Sequence, residues 1–177
     1  MATNYFELFN IPVSLHIDSA LLKQRYYELS RQYHPDMHTL ADTDAQAHVL
    51  QQSAEVNKGF KVLGNPELLL QYVLQQKGLL EDTEKFQLPS AFLMEMMELN
   101  ESLVELEFDP EENEIVALQH QIVAMENALY SEVRSIIDTY DDSLISAVAL
   151  EKLKIFYFKR KYFLRIKERF STFAARN

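Results

Sequence analysis

The amino-acid sequence predicts an all-α protein made of two helical units. Apolar residues recur at helical spacing through most of the 177 residues, and Gly and Pro are scarce, with 3 and 5 copies. A mixed, aperiodic stretch separates the two periodic halves. We therefore expect an antiparallel helix pair with short flanking helices over 1–76, a linker over 77–89 and a three-helix bundle over 90–177.

The first unit is expected to contain two long helices. Asp18 is a suitable N-cap for the first of them, and Gly64 is a natural stop for the second. A short apolar turn at 5–9 precedes the pair, and Asn65 followed by Pro66 opens a shorter helix after it. The positions that share a face in these helices are Leu22, Tyr26, Leu29 and Tyr33, then Val49, Gln52, Val56, Phe60 and Leu63, and finally Leu69, Tyr72 and Val73.

The loop between the two long helices carries His34, Pro35 and Asp36. Proline lacks an N–H group and disfavours a helical conformation in the residue before it, so the arriving helix should end here. The loop then presents an imidazole, a rigid ring and a carboxylate close together. Taken alone, so short a motif is more often a helix stop with two solvated polar residues than a functional site.

In the second unit, the helix expected over 90–107 has two apolar sides. One side is a regular packing seam made up of Phe92, Met96, Leu99, Leu103 and Leu106. The opposite side is acidic as well as apolar and consists of Leu93, Met94, Met97, Glu98, Glu101, Val104 and Glu105. Because unpaired acids are costly to bury, we expect this second side to be exposed and to bind a partner. The alternative is a helix packed on both sides with its acids at the rim.

Two further helices complete the expected bundle. Asp109 is expected to cap the second helix, with Pro110 in its first turn, and 141–143 to end it. Its core stripe comprises Ile115, Leu118, Ile122, Met125, Leu129, Val133, Ile136 and Tyr140. The third helix is expected over 144–170, with a core stripe of Val148, Ile155, Tyr162 and Ile166.

Formal charge is distributed unevenly along the chain. Residues 1–78 carry −2, residues 79–150 carry −15 and residues 151–177 carry +7, for a total of −10. The basic third helix of the bundle can therefore pack against the acidic helices before it. A basic tail that reads nucleic acid is the weaker interpretation, because its charges alternate with core positions. Neither nucleic acid nor an anionic membrane is expected as a partner.

Several chemistries are excluded or disfavoured. The absence of Cys excludes disulfides, thiolate metal sites and a Cys nucleophile. Neither a secretory signal nor an apolar stretch of membrane length is recognised, so a cytoplasmic protein is expected. An enzyme that uses His34 as a base and Asp36 to orient it is disfavoured, since no nucleophile, phosphate loop or metal-ligand cluster accompanies them. No catalytic residue, cofactor or metal is expected.

The motifs of the first unit together resemble a J-domain over roughly residues 3–76. They are the opening Tyr5-Phe6-Glu7-Leu8-Phe9, the helix segment Leu22-Lys23-Gln24-Arg25-Tyr26, the loop Tyr33-His34-Pro35-Asp36 and the stretch from Asn57 to Pro66. The resemblance implies docking on a DnaK-type chaperone ATPase and stimulation of its ATP hydrolysis. It matches His34, Pro35 and Asp36 to the essential motif, with Asp36 pairing with an Arg of the ATPase.

A basic face on the helix before the loop would meet an acidic surface of the chaperone. Its candidates are Lys23, Arg25 and Arg31. Tyr27 and Glu28 stand where many J-domains carry basic residues, which suggests a dedicated chaperone partner.

The second unit resembles the C-terminal domain of the HscB co-chaperone in the segment from Ala91 to Glu101. This resemblance implies delivery of the iron–sulfur scaffold protein IscU to the chaperone ATPase HscA. The scaffold contacts that it implies are Leu93, Met94, Met97, Glu98, Glu101 and Glu105, with an apolar contact from the last helix at Ile155 or Phe156. The first six lie on the side that the helical wheel sets opposite the seam. A helical adaptor for another client is the remaining alternative.

Overall fold

In a computed structural model, all the regular secondary structure of the described residues is helical, which confirms the predicted fold class. The structure describes residues 3–38, 43–81 and 86–176. The chain divides into two compact units, one formed by 1–78 together with 138–145 and the other by 79–137 together with 146–177. The sequence had assigned 138–145 to the second domain, whereas in the structure this segment belongs to the first unit.

The helices of the first unit are α1 (Tyr5–Leu8), α2 (Ser19–Gln32), α3 (Thr43–Leu63) and α4 (Pro66–Gln76), with a 3₁₀ turn at Pro35–His38 between α2 and α3. The predicted N-caps of α2 and α4 are confirmed. Asp18 and Asn65 each accept two backbone N–H groups of the following first turn, at 2.8 to 3.3 Å. These bonds satisfy donors that a helix start leaves without an intrahelical acceptor.

The core of the first unit is built around α3, against which α1, α2 and α4 pack. The Tyr26 ring of α2 stacks on Phe60 of α3 with centroids 4.2 Å apart, and its hydroxyl donates to Asn57 Oδ1 at 2.9 Å. The predicted face positions that are buried are Leu22, Val49, Val56, Leu63, Leu69, Tyr72 and Val73. The others are half-buried, namely Tyr26, Leu29, Tyr33, Gln52 and Phe60.

Gly59 allows α1 to pack directly on α3. A Cβ atom at this position would lie 2.8 Å from the Phe9 ring and 2.9 Å from the Tyr5 ring, closer than carbon atoms can approach without a shift. Both rings are buried. The close approach therefore requires glycine in the middle of a helix that would otherwise favour a residue with a side chain.

The segment 138–145 is held to the end of α4 by a charged contact. Lys77 Nζ lies 2.8 Å from Asp142 Oδ1, and the Tyr140 hydroxyl donates to the same oxygen at 2.8 Å. Partial burial acts to raise the pKa of Asp142, but the hydrogen bonds from Lys77 and Tyr140 outweigh it and lower that pKa. Burial, followed by the hydrogen bond to Asp142, raises the pKa of Tyr140 far above its ordinary value.

The helices of the second unit are α5 (Ser90–Phe108), α6 (Glu112–Ser131), α7 (Arg134–Asp138) and α8 (Ala147–Ala174), and the last residue of α7 already belongs to the first unit. The long helices α5, α6 and α8 pack on one another as the predicted three-helix bundle. Contacts of α5 with α8 run in the same direction along both helices, from Phe92 near Tyr162 to Glu107 at Arg169. Contacts of α6 with α8 run in opposite directions, which gives an up-down-up order.

The seam predicted for α5 is confirmed at all five positions. Phe92, Met96, Leu99, Leu103 and Leu106 are between 0% and 4% exposed. Several other details of the bundle were predicted wrongly. The N-cap of α6 is Glu111 and not Asp109, so Pro110 precedes the helix. The helix also ends at Ser131, where a turn separates it from α7, although the stripe predicted continuous helix to Tyr140.

The core face of the last helix was predicted only in part. It begins after the N-cap Ser146. Of the predicted stripe, Ile166 is buried and Ile155 half-buried, whereas Val148 and Tyr162 are 69% and 38% exposed. The side chains that fill the core are Leu153, Phe156, Phe163, Ile166 and Phe170. Aromatic residues occur on several sides of α8, so hydrophobicity alone did not identify the side that faces the bundle.

We predict that Leu99→Ala lowers the free energy of unfolding by about 2–5 kcal/mol, because it leaves a cavity where the side chain is 0% exposed. Chemical denaturation followed by circular dichroism measures the change. Met97→Ala in the same helix is the matched control, since Met97 is 59% exposed and its loss should change stability little. Equal effects of the two variants would contradict the orientation of α5.

We also predict that Asp142→Asn destabilises the protein at pH 7 by an amount in the range of about 0.2–1 kcal/mol, typical of partly exposed ion pairs. A carboxyl whose folded-state pKa is lowered stabilises the fold above the unfolded pKa of about 3.9, and this contribution is lost as pH falls through the folded-state value. The difference from wild type should therefore shrink below about pH 4. Thermal unfolding at several pH values tests this, with Lys77→Gln and the double variant completing a mutant cycle.

Candidate functional site

The loop after α2 is held by its own backbone and by His34. The His34 carbonyl accepts the Met37 N–H at 3.0 Å, and His34 Nδ1 accepts the Asp36 N–H at 3.2 Å. Nδ1 also lies 3.7 Å from Asp36 Oδ2, which makes an ion pair only when the imidazole is protonated. His34 thus fixes the backbone of the turn at Pro35–His38, and its neighbour Asp36 is presented at the surface.

Asp36 is available to an external cation. Its side chain is 86% exposed, and among the described residues no Lys or Arg forms a salt bridge with it. A carboxylate held out on a rigid turn can accept a bidentate pair from a guanidinium group of another protein. The three loop residues named by the sequence therefore form one small, outward-facing site.

The basic residues predicted for α2 divide into two groups. Lys23 and Arg31 are exposed and lie eight residues apart on one face of the helix. Arg25 instead donates to Glu28 Oε2 at 3.0 Å. Hydrogen bonds from Gln24 and then Arg25 lower the pKa of Glu28, so this acid remains charged and offsets Arg25.

Sequence reasoning missed three exposed apolar side chains near this site. Tyr27 is 62% exposed and lies between Lys23 and Arg31 on the same face. The sequence comparison with J-domains identified it only as a position without a basic residue. Met37 and Leu50 are 75% and 63% exposed. Leu50 lines an open cleft of about 510 Å³ beside Pro35 and Asp36. Because Leu50 is apolar but lies outside the predicted core stripe of α3, the sequence could have indicated that it is exposed.

The second candidate site is the outward side of α5. Met94 and Met97 are 63% and 59% exposed, and Leu93 is half-buried. The acids of this side are exposed as well, namely Glu98, Glu101 and Glu105. The helix is therefore not packed on both sides, and an acidic surface with flexible methionines faces outward.

None of these three acids has a basic partner among the described side chains. Glu107 of the same helix differs from them, because Arg169 of α8 donates two hydrogen bonds to its carboxylate. No described basic side chain therefore offsets the acids on this side of α5, and they are open to a partner.

The contact predicted from α8 is corrected at one of its two positions. Phe156 is 3% exposed and packs in the core, where its ring meets Tyr130 edge-on, so it cannot offer a surface contact. Ile155 is half-buried. It lies one turn before Lys159, whose ammonium sits 5.7 Å from the centre of the Phe92 ring at the start of α5. Ile155 is thus on the α5 side of the helix.

Over the described ranges, no group of three or more His, Asp or Glu residues is placed to hold a metal ion. The same ranges contain no helix that is both long enough and apolar enough to cross a lipid bilayer.

Comparisons with known proteins agree with this two-part arrangement. A family model described as the HSCB C-terminal oligomerisation domain matches residues 88–171. A co-chaperone protein HscB homolog of Shewanella frigidimarina is 34% identical over 156 residues, covering 85% of this chain and 89% of that protein. The homolog of Pseudoalteromonas atlantica is 33% identical over 170 residues, covering 93% and 96%.

Two solved structures are similar to this chain. The human co-chaperone protein HscB matches with a TM-score of 0.78 and 26% identity, covering 97% of this chain and 82% of the human one. The chaperone HscB from Vibrio cholerae matches with a TM-score of 0.64 and 26% identity, covering 95% and 99%.

The fold and the loop define a J-domain co-chaperone, with an N-terminal J-domain and a C-terminal three-helix domain. Its relatives over nearly the full length are named co-chaperones. The chain belongs to the HscB family.

Proposed function

We propose that this protein binds an IscU-type iron–sulfur scaffold through α5 and delivers it to an HscA-type chaperone ATPase, whose ATP hydrolysis its J-domain stimulates. The proposal depends chiefly on one observation, that two exposed and chemically different surfaces lie on separate compact units. The chain itself would perform no catalysis. We place this function in iron–sulfur cluster assembly in the cytoplasm, on the strength of the family resemblance.

The loop surface supports the ATPase-binding half of the proposal. Asp36 offers a carboxylate to an arginine of the ATPase, and His34 holds the turn that presents it. Lys23 and Arg31 add two positive charges that would steer an acidic surface of the chaperone toward the loop. Arg25 contributes less than the sequence suggested, because Glu28 neutralises it.

Tyr27 adds an aromatic contact between the two charges of this face. An aromatic ring buries much apolar surface at small cost in side-chain entropy, so it favours a shaped pocket over a purely electrostatic contact. This composition supports docking on one dedicated chaperone.

The outward side of α5 supports the scaffold-binding half. Leu93, Met94 and Met97 supply adaptable apolar area, and Glu98, Glu101 and Glu105 surround it with negative charge. Ile155 extends the apolar area from α8. The complementary surface of the scaffold should therefore be apolar at its centre and basic at its rim.

Two sites on one chain make the protein an adaptor. Once the scaffold is bound by α5 and the J-domain by the ATPase, the scaffold is confined near the chaperone and its effective concentration there rises. The stimulation of hydrolysis and the capture of the client then occur in the same complex.

We predict that Asp36→Ala abolishes ATPase stimulation of an HscA-type chaperone and leaves the fold and scaffold binding unchanged, because Asp36 is exposed and makes no described side-chain contact besides His34. A steady-state ATPase assay with and without scaffold measures this. Asp109→Ala removes an exposed acid of the second unit and should stimulate normally. Full stimulation by Asp36→Ala would refute the assignment of the loop.

We predict that the double variant Met97→Ala and Glu101→Gln weakens scaffold binding at least about tenfold, or about 1.4 kcal/mol, while basal ATPase stimulation stays at the wild-type level. Isothermal titration calorimetry with the scaffold measures the affinity. The matched control is Val148→Ala with Glu151→Gln, which removes an exposed apolar residue and an exposed acid from α8. Unchanged affinity of the first variant would point to a different client or a different surface.

A further inference from the structure

An open cleft lies between the loop that carries Asp36 and the first turns of α3. Its volume is about 510 Å³, within the range of about 300–1,000 Å³ that is typical of clefts that hold a ligand. Apolar side chains of α3 line it, namely Ala47, Val49 and Leu50, and Pro35 lines it from the loop. The cleft therefore borders directly on the carboxylate that the proposed function assigns to a chaperone ATPase.

The packing of the first unit does not account for the exposure of Leu50. Its side chain is 63% exposed, whereas its neighbour Val49 is 7% exposed and belongs to the core. A single exposed leucine on a convex surface would need no explanation. Leu50 instead lines a concave surface together with a buried valine and a rigid proline. Apolar surface is thus continuous from the core out to the side of the loop.

The cleft has an apolar centre and a polar edge with one charge. Of the described residues that line it, Asp36 alone is charged, and its side chain is 86% exposed. Thr43 and Gln46 add an uncharged hydroxyl and an amide. An apolar centre with a polar rim is the usual arrangement of a protein-binding surface. An acidic ligand would be repelled by Asp36, and a cation alone would leave the apolar centre uncovered.

We propose that the cleft receives an apolar side chain from the same segment of the chaperone ATPase that offers an arginine to Asp36. This inference rests on the proposed function and adds Leu50 as a specificity-determining residue. The guanidinium group would pair with the carboxylate at the edge, while the apolar side chain covers Leu50 and Ala47. The three methylene groups of the arginine stem fill only a small part of the cleft, so a second side chain is needed.

The apolar contact supplies specificity that the charge pair lacks. An exposed ion pair contributes little, because both groups stay hydrated and salt screens them. Covering Leu50 removes apolar surface from water and also excludes water from the neighbourhood of the Asp36 carboxylate. A chaperone with a charged residue at the matching position would have to bury that charge without a partner. The cleft therefore selects one chaperone among those that carry the arginine.

The stimulation of an HscA-type chaperone by increasing concentrations of the full chain tests the proposal. Leu50→Ala should raise the concentration for half-maximal stimulation about three- to tenfold and leave maximal stimulation at the wild-type level, since Asp36 is still present. Leu50→Met keeps the apolar volume and should stay within about twofold of wild type. Leu144→Ala is the matched control, because Leu144 is an 80% exposed leucine of the same unit outside the cleft. Circular dichroism verifies that the variants are folded.

Leu50→Glu separates apolar recognition from attraction between charges. It places a second carboxylate beside Asp36, which would strengthen the binding of an arginine alone but disfavours an apolar side chain in the cleft. The half-maximal concentration should therefore rise at least as far as for Leu50→Ala. A lower value for Leu50→Glu than for wild type, or an unchanged value for Leu50→Ala, would overturn the proposal. The assignment of Asp36 would survive either result, because Asp36→Ala tests it separately.

Nuclear magnetic resonance of isotope-labelled leucine methyl groups gives a direct readout of the contact. Addition of the ATP-bound chaperone should shift the signals of Leu50 and leave those of Leu144 unchanged. A shift of the Leu50 signals by an IscU-type scaffold and not by the chaperone would overturn the proposal. A wild-type chain that stimulates no HscA-type chaperone would overturn the proposed function and this inference together.

Discussion

The ion pairs of α8 determine which acids of the second unit are offset by a basic partner. Lys159 pairs with Glu132 at 2.9 Å, Lys167 with Glu126, and Arg169 with Glu107. Each pair ties a basic residue to the edge of a neighbouring helix, where both groups stay partly hydrated and cost little to hold. The basic helix therefore balances the acids at the borders of the bundle. The acids on the outward side of α5 lie beyond its reach and remain available to a partner.

In the first unit, an ion pair likewise decides which charges of a surface are left without a partner. Glu28 forms an ion pair with Arg25, so the positive charges that α2 offers to a partner are those of Lys23 and Arg31. The aromatic ring of Tyr27 then becomes the largest exposed group of the face. Because fewer charges mean weaker long-range steering, a chaperone that docked on this face as proposed would depend more on shape and on the Asp36 carboxylate. A count of basic residues in the sequence could not show this.

The sequence alone predicted the buried face of a helix correctly where one face is clearly apolar. The five seam residues of α5 and the N-caps at Asp18 and Asn65 were all predicted, because spacing and capping chemistry act within one helix. The core face of α8 was predicted only at Ile166, since aromatic residues surround the helix and only tertiary contacts select Leu153 and Phe163 over Val148 and Tyr162. The attachment of 138–145 by Lys77 also escaped prediction, because that pair joins residues 65 positions apart.

The bundle gives each of its long helices a different outward character, and this separation has a functional consequence. A surface that binds a basic client must be acidic, and such a surface repels its own copy. The outward side of α5 is acidic, whereas α6 has no charged residue from 115 to 125, so a basic client would be drawn to α5. The paired acids at the helix edges, Glu107 and Glu126, mark the borders between these surfaces, and α8 holds both of them.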